Sequence, residues 1–240
     1  MKILIIRHGE PDYVHDTLTK KGWQEAELLA KRLAKLDINN FYVSPLGRAK
    51  DTASLTLQKL GREAEICDWL QEFTPRIHRP DHEGTSCVWD WLPEDWTTHP
   101  QFFDAERWYD DPIMKAGHVK ESYLEVTNQF TELLKKHGYV RKKKVYTVIN
   151  GNHDTIVLFC HFGLECVLLS YLLNVSPMIL WHGFVAAPTS VTTICSEERR
   201  KGIATFRISA FGDISHLYAG QEQPSFMARY CECYGDKTLH

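Results

Sequence analysis

Met1-Lys2-Ile3-Leu4-Ile5-Ile6-Arg7-His8-Gly9-Glu10 opens the chain. A continuous run of branched apolar side chains that stops at a glycine-containing polar turn predicts a central strand of a parallel sheet, buried on both faces. Ligands of such sheets bind in the crevice outside the carboxyl ends of the strands. Arg7 and His8 are therefore delivered to the place where an open α/β fold does its chemistry. Taken alone, the tetrapeptide Arg7–Glu10 reads equally well as a plain polar strand end.

Working outward, 240 residues permit one large α/β domain or two small ones. Apolar residues at 43% and charged residues at 25% are those of a water-exposed globular protein. A formal net charge of -3 gives no electrostatic footprint for a nucleic acid or an anionic membrane. No stretch approaches the roughly 20 apolar residues of a membrane span, and the opening apolar run is too short for a signal peptide. Seven cysteines at irregular spacing, 67, 87, 160, 166, 195, 231 and 233, point to reduced thiols and a cytoplasmic location. Cys231-Glu232-Cys233 is half a metal site without a second Cys/His pair near it, so no metal and no cofactor are expected.

The rest of the chain alternates in the same way. Thr19 is a candidate N-cap for a helix in which Ala26, Leu29, Ala30, Leu33 and Leu36 recur at helical spacing. Phe41–Val43 predicts a second strand, ending at Ser44-Pro45-Leu46-Gly47-Arg48, and a helix follows over 49–60. Glu65–Leu70 reads as a third strand ending near Glu72. Residues 74–118 hold Trp89, Trp91, Trp96 and Trp108 and five prolines without a sustained period. Such a stretch predicts a partly helical, aromatic-rich cap over the crevice. A helix over 121–137 leads to the basic run Arg141–Lys144, read as a solvated segment. A strand over 145–149 then meets Asn150-Gly151, a strong hairpin signal. Thr155–Cys160 is a fully apolar strand that stops at His161-Phe162-Gly163, with a helix from about 164 to 173. A late hairpin over 191–195 and 204–208 closes the core, and 219–240 is a polar tail. The prediction is a single three-layer α/β sandwich with a mostly parallel central sheet and an inserted cap.

Strand ends thus deliver Arg7 and His8, Arg48, Glu72 and His161. Arginine forks match phosphate oxygens bidentately, and the helix N-terminus after His161 favours an anion. No Walker loop and no Asp cluster for Mg²⁺ occurs, so the protein itself would neutralise a bound phosphoryl group. Arg7-His8-Gly9-Glu10, Leu18-Thr19-x-x-Gly22, Ser44-Pro45-Leu46-x-Arg48-Ala49-x-x-Thr52-Ala53 and His161 together resemble the histidine phosphatase superfamily, in its phosphoglycerate mutase-like branch. Gly117-x-x-x-Glu121-Ser122 and Ser215-His216-Leu217 are similar to further elements of that family. The resemblance implies that His8 is phosphorylated, that Arg7 and Arg48 grip the phosphoryl group, and that His161 also contacts it. Glu72 lies where the family's acid often lies, with Glu83 and Glu10 as alternatives. Phe162 stands where relatives usually carry Gly, and is expected beside the substrate. His15, His78, His82, His99 and His118 are expected at the surface or in the cap.

Tyr13-Val14-His15 occupies the place where mutases tend to carry an Asn, and no basic, proline-rich insert is present. These departures favour a metal-independent phosphomonoesterase acting on a small phosphorylated molecule. A cofactor-dependent phosphoglycerate mutase and an inactive phospho-ligand-binding member are the alternatives.

Overall fold

The computed structural model describes residues 1–81, 83–225 and 234. β1 (Lys2–Arg7) is followed by a two-residue ladder of β2 (Pro11–Asp12) with β3 (Thr17–Leu18). α1 (Lys20–Leu33) starts at Thr19, whose hydroxyl accepts the Gly22 N–H at 3.1 Å, as the sequence predicts. Then come β4 (Asn40–Val43), α2 (Gly47–Leu60) and β5 (Glu65–Ile66). The stretch to residue 118 is built of short pieces: β6 (Arg76–Ile77) paired with β7 (Ser86–Cys87), α3 (Pro93–Trp96), α4 (Pro112–Ala116) and three single-turn 3₁₀ segments. The remainder is α5 (Val119–Lys136), β8 (Tyr139–Lys142), β9 (Val145–Val148), β10 (Thr155–Cys160), α6 (Phe162–Leu173), α7 (Pro177–Gly183), β11 (Val191–Arg200), β12 (Ile203–Asp213) and α8 (Ser215–Ala219).

One sheet runs in the order β5-β4-β10-β1-β11-β12-β9-β8. The half that carries the site, β5-β4-β10-β1, is parallel, and the other half joins it antiparallel. Because antiparallel pairs come in succession there, six of the eight strands point the same way. The period-two alternation of β1 makes the layers. Ile3 and Ile5 enter one core with Phe130 and Leu168, under α5 and α6. Leu4 and Ile6 enter the other with Leu29, Leu33, Ala49 and Ala53, under α1 and α2. Burial of both faces is why β1 and β10 read as continuous apolar runs. Among the described residues no helix is long and apolar enough to cross a membrane.

Three sequence expectations are corrected. The third strand stops at Ile66 and turns through a 3₁₀ segment, Asp68–Leu70, because Trp69 and Leu70 fold inward, Trp69 meeting Phe130 at 6.1 Å. Glu72 therefore lies on a loop. Asn150-Gly151 does not close a hairpin: β10 is buried along its whole length and takes the sheet centre between β4 and β1, whereas β9 lies near the edge. The hairpin is formed instead by the basic run, with Lys143 at φ +58° in the turn between β8 and β9. The third correction concerns Leu36. It lies beyond the end of α1 and is 42% exposed.

The tryptophans of the 74–118 stretch mostly hold that stretch together. Trp91, Trp96 and Trp108 are buried, Trp108 packing edge-on against Trp181 of α7 at 5.5 Å. Residues 221–225, part of the polar tail, return to the first quarter of the chain: Ser225 donates its N–H to Glu25 Oε1 of α1 at 3.0 Å and its hydroxyl to Glu10 in the loop after β1. Cys231, Cys233 and His82 lie outside the described residues.

Candidate active site

β1 ends at Arg7, and His8 follows in the crevice. β4 ends before Ser44, and the first turn of α2 carries Arg48. β10 ends before His161, which caps the N-terminus of α6. A cavity of about 490 Å³ is lined by Arg7, His8, Arg48, Glu72 and Phe162, five of the six residues singled out in the sequence. The sixth, His161, is fully buried beside His8, with ring centroids 5.0 Å apart.

His8 Nδ1 lies 2.7 Å from the Gly9 carbonyl. A carbonyl only accepts, so Nδ1 carries the hydrogen and Nε2 keeps its lone pair. Burial, and then the Arg7 cation, pull the His8 pKa down to about 3, so the ring is neutral at pH 7. His161 Nε2 is 2.8 Å from Ser44 Oγ, and its Nδ1 is buried with no hydrogen-bond partner within the protein. Burial and its neighbours His8, Arg48 and Arg7 hold its pKa well below the usual imidazole range.

The depressed His8 pKa has a consequence for stability. Between about pH 3 and 6.5 the unfolded chain binds a proton at His8 that the folded chain does not. The stability this ring contributes is therefore complete above pH 6.5 and is lost as pH falls toward 3. Urea midpoints of wild type and His8→Ala at pH 7 and pH 4.5 should show the wild type losing more on acidification. An equal loss in both would show that His8 is not held neutral.

Both guanidinium groups are fixed from behind. Arg7 Nη1 donates to the Ala186 carbonyl. Arg48 Nη1 bonds Asp16 Oδ1 at 2.7 Å and lies over the Tyr13 ring at 5.4 Å. The Nε atoms of both are buried without a protein acceptor, donors suited to an anion. Asp16 also accepts the Gly47 N–H at 2.6 Å, and a Cβ on Gly47 would lie 1.9 Å from the Asp16 carbonyl oxygen, so only glycine fits this approach.

Glu72 Oε1 accepts the N–H groups of Phe73 at 2.8 Å and Leu164 at 3.0 Å, the latter from the first turn of α6. Burial nevertheless dominates and raises its pKa above the usual carboxyl range. The other two candidate acids are elsewhere. Glu83 is exposed and does not line the cavity. The Glu10 carboxylate is turned away, taking the hydroxyls of Thr19 at 2.7 Å and of Ser225. A Cβ on Gly163 would lie 2.7 Å from Glu72 Oε1 and 2.8 Å from Trp89 Nε1. Gly163→Ala is accordingly expected to push Glu72 out of place, lowering kcat at least tenfold and stability by about 1–3 kcal/mol. Steady-state kinetics and urea melts check this; wild-type values for both would show that the carboxyl position does not matter.

Asp16, Gln71, Thr74 and Trp89 also belong to the site or its support, and the sequence does not single them out, whereas Tyr13, named there as a departure from relatives, lines the cavity too. Trp89 differs from the other tryptophans of the 74–118 stretch in facing the cavity, its Nε1 donating to the Phe73 carbonyl at 2.7 Å. Only its place in the aromatic cap signalled it. Among the described residues no three His, Cys, Asp or Glu side chains are grouped to hold a metal ion.

Fold and cavity define an α/β protein with two neutral histidines, two arginines and one buried acid gathered at the carboxyl ends of parallel strands. The sequence model of the histidine phosphatase superfamily (branch 1) matches residues 3–209, and the chain belongs to that superfamily. A probable phosphatase of Schizosaccharomyces pombe is 26% identical over 233 residues, 90% of this chain and 95% of its own. Phosphoserine phosphatase 1 of Hydrogenobacter thermophilus is 26% identical over 218 residues, 87% of this chain and 93% of its own. A crystal structure of a mutant phosphoserine phosphatase from Entamoeba histolytica with phosphoserine shares the fold, with a TM-score of 0.59 at 21% identity, over 90% of this chain and 98% of that one.

Proposed function

We propose that the chain is a phosphomonoesterase that hydrolyses a small phosphorylated metabolite through a phosphohistidine on His8. The observation that carries this reading is the pairing of a neutral His8, its Nε2 unprotonated, with two anchored guanidinium groups around one cavity. His8 Nε2 attacks phosphorus and the ester oxygen leaves, taking the proton of the Glu72 carboxyl. The Glu72 carboxylate then takes a proton from water, whose oxygen attacks phosphorus. The P–N bond breaks, inorganic phosphate leaves and both residues return to their starting states. Arg7 and Arg48 offset the charge on the phosphoryl oxygens during both transfers. His161, whose Nδ1 is buried without a protein partner, supplies a further hydrogen bond to the same group in this reading.

Residues 74–118 form the cap of this site, with Trp89 and Phe162 as its apolar wall. The cavity volume of about 490 Å³ suits a small metabolite better than a polypeptide. Phosphoserine, bound or hydrolysed by relatives as their names say, heads the test panel. The five described cysteines are free thiols, which fits a cytoplasmic enzyme.

Phosphate release from a panel of metabolite esters, run beside isomerisation of phosphoglycerate with no added bisphosphate, tests the reading. Phosphate release without isomerisation supports it; isomerisation alone would make the chain a mutase, and neither would make it a binding protein. Because protein cations neutralise the phosphoryl group, EDTA should leave the rate unchanged. A loss restored by Mg²⁺ would contradict the proposed chemistry.

A further inference from the structure

A second cavity, of about 1040 Å³, shares no lining residue with the first. It lies between the β8–β9 hairpin, the outer face of α5, the end of α6 and the cap segment at 105–109. Its walls present Leu124, Val145 and Ile203, which are 40%, 36% and 46% exposed, and the half-buried rings of Tyr109 and Tyr171. Large apolar side chains gathered in one exposed concavity mark a binding surface.

Its charge runs against that of the chain. Four cations, Arg141, Lys142, Lys143 and Lys144, and one acid, Glu106, line it, a balance of +3 in a chain of net charge -3. Glu106 is paired with Lys144 at 3.4 Å. Among the described residues Lys142 and Lys143 have no ion-pair partner. Arg141 is fixed: it donates to Tyr146 Oη at 2.7 Å, the Tyr171 carbonyl at 3.0 Å and Asn174 Oδ1 at 2.7 Å. It also lies over two rings, 3.8 Å from the centre of Tyr171 and 5.5 Å from that of Tyr146. A guanidinium already held by these bonds and rings can meet a ligand without the entropy cost of ordering its side chain.

We propose that this cavity is a second ligand site, taking an anionic small molecule with a flat ring, of the nucleoside monophosphate class. The ring lies against the apolar and tyrosine wall beside Arg141, and the anion meets Lys142 and Lys143 at the hairpin. Neither feature is used by the chemistry at His8.

The test is calorimetric titration of AMP, adenosine and inorganic phosphate into His8→Ala protein, in which turnover of AMP is slowed at least about 10⁴-fold on the proposed mechanism. The same titrations follow in His8→Ala carrying Lys142→Glu and Lys143→Glu. AMP should bind more tightly than either fragment, and the double charge reversal should weaken it by at least about tenfold. Any AMP held in the His8 cavity survives the reversal, so the two sites separate. In a His8-containing protein the same two lysine substitutions should leave phosphate-ester turnover unchanged, which also shows that the variant folds. AMP affinity unaffected by the reversal, adenosine equal to AMP, or no AMP binding at millimolar concentration would each overturn the proposal.

Discussion

His8→Ala is expected to lower kcat for phosphate release by at least about 10⁴-fold, as removal of a nucleophile does in other covalent enzymes. The size follows from the site. No other side chain lining the cavity offers an imidazole nitrogen: His161, with Nε2 against Ser44, is not part of that lining. Water attacking the ester directly would still meet Arg7 and Arg48, so a residual rate above background belongs to the account. The fold should survive, because His8 sits in a loop and its side-chain hydrogen bond is to its neighbour Gly9. Activity within tenfold of wild type would remove His8 from the mechanism.

Glu72→Gln is expected to have the next largest effect, and one that depends on the leaving group. The amide oxygen of the substituted side chain can still accept from Phe73 and Leu164, so the loop should hold its shape. The proton is what is lost. For an alkyl ester such as phosphoserine, whose alkoxide cannot leave unprotonated, kcat should fall by about 10²–10⁴-fold. For p-nitrophenyl phosphate the leaving phenolate needs no proton, so His8 should still be phosphorylated quickly. Water is then no longer activated, and a burst of about one p-nitrophenol per site should precede slow turnover. Equal losses for both esters without a burst would assign the proton to another group.

Most of this site is legible in the sequence because its residues sit at strand ends. A fully buried strand cannot carry a charge along its length, so the first polar residues after Ile6 and Cys160 necessarily fall at the crevice. Arg48 follows from the turn after Val43 in the same way. Glu72 is legible through the family resemblance alone, because the strand end expected to carry it is absent. Its strand ends early, at Ile66, yet the loop still returns to the first turn of α6, where Leu164 binds the carboxyl. Asp16 and Trp89 are not legible, since they arrive from loops whose course is set by tertiary contacts such as that between Gly47 and Asp16. The β8–β9 hairpin is hidden because its turn uses lysines, with Lys143 at positive φ, where turn chemistry predicts Asn or Gly. With it is hidden the second cavity, which no single segment encodes: it needs the hairpin, α5, α6 and the cap together.

The central claim is a covalent phosphoryl group on His8. Wild-type protein, mixed with excess phosphate ester and quenched in base during turnover, should carry a phosphoryl group that is stable to alkali, lost in acid, and mapped by peptide mass spectrometry to His8. Steady turnover with no such adduct, or an adduct on any other residue, would contradict the account.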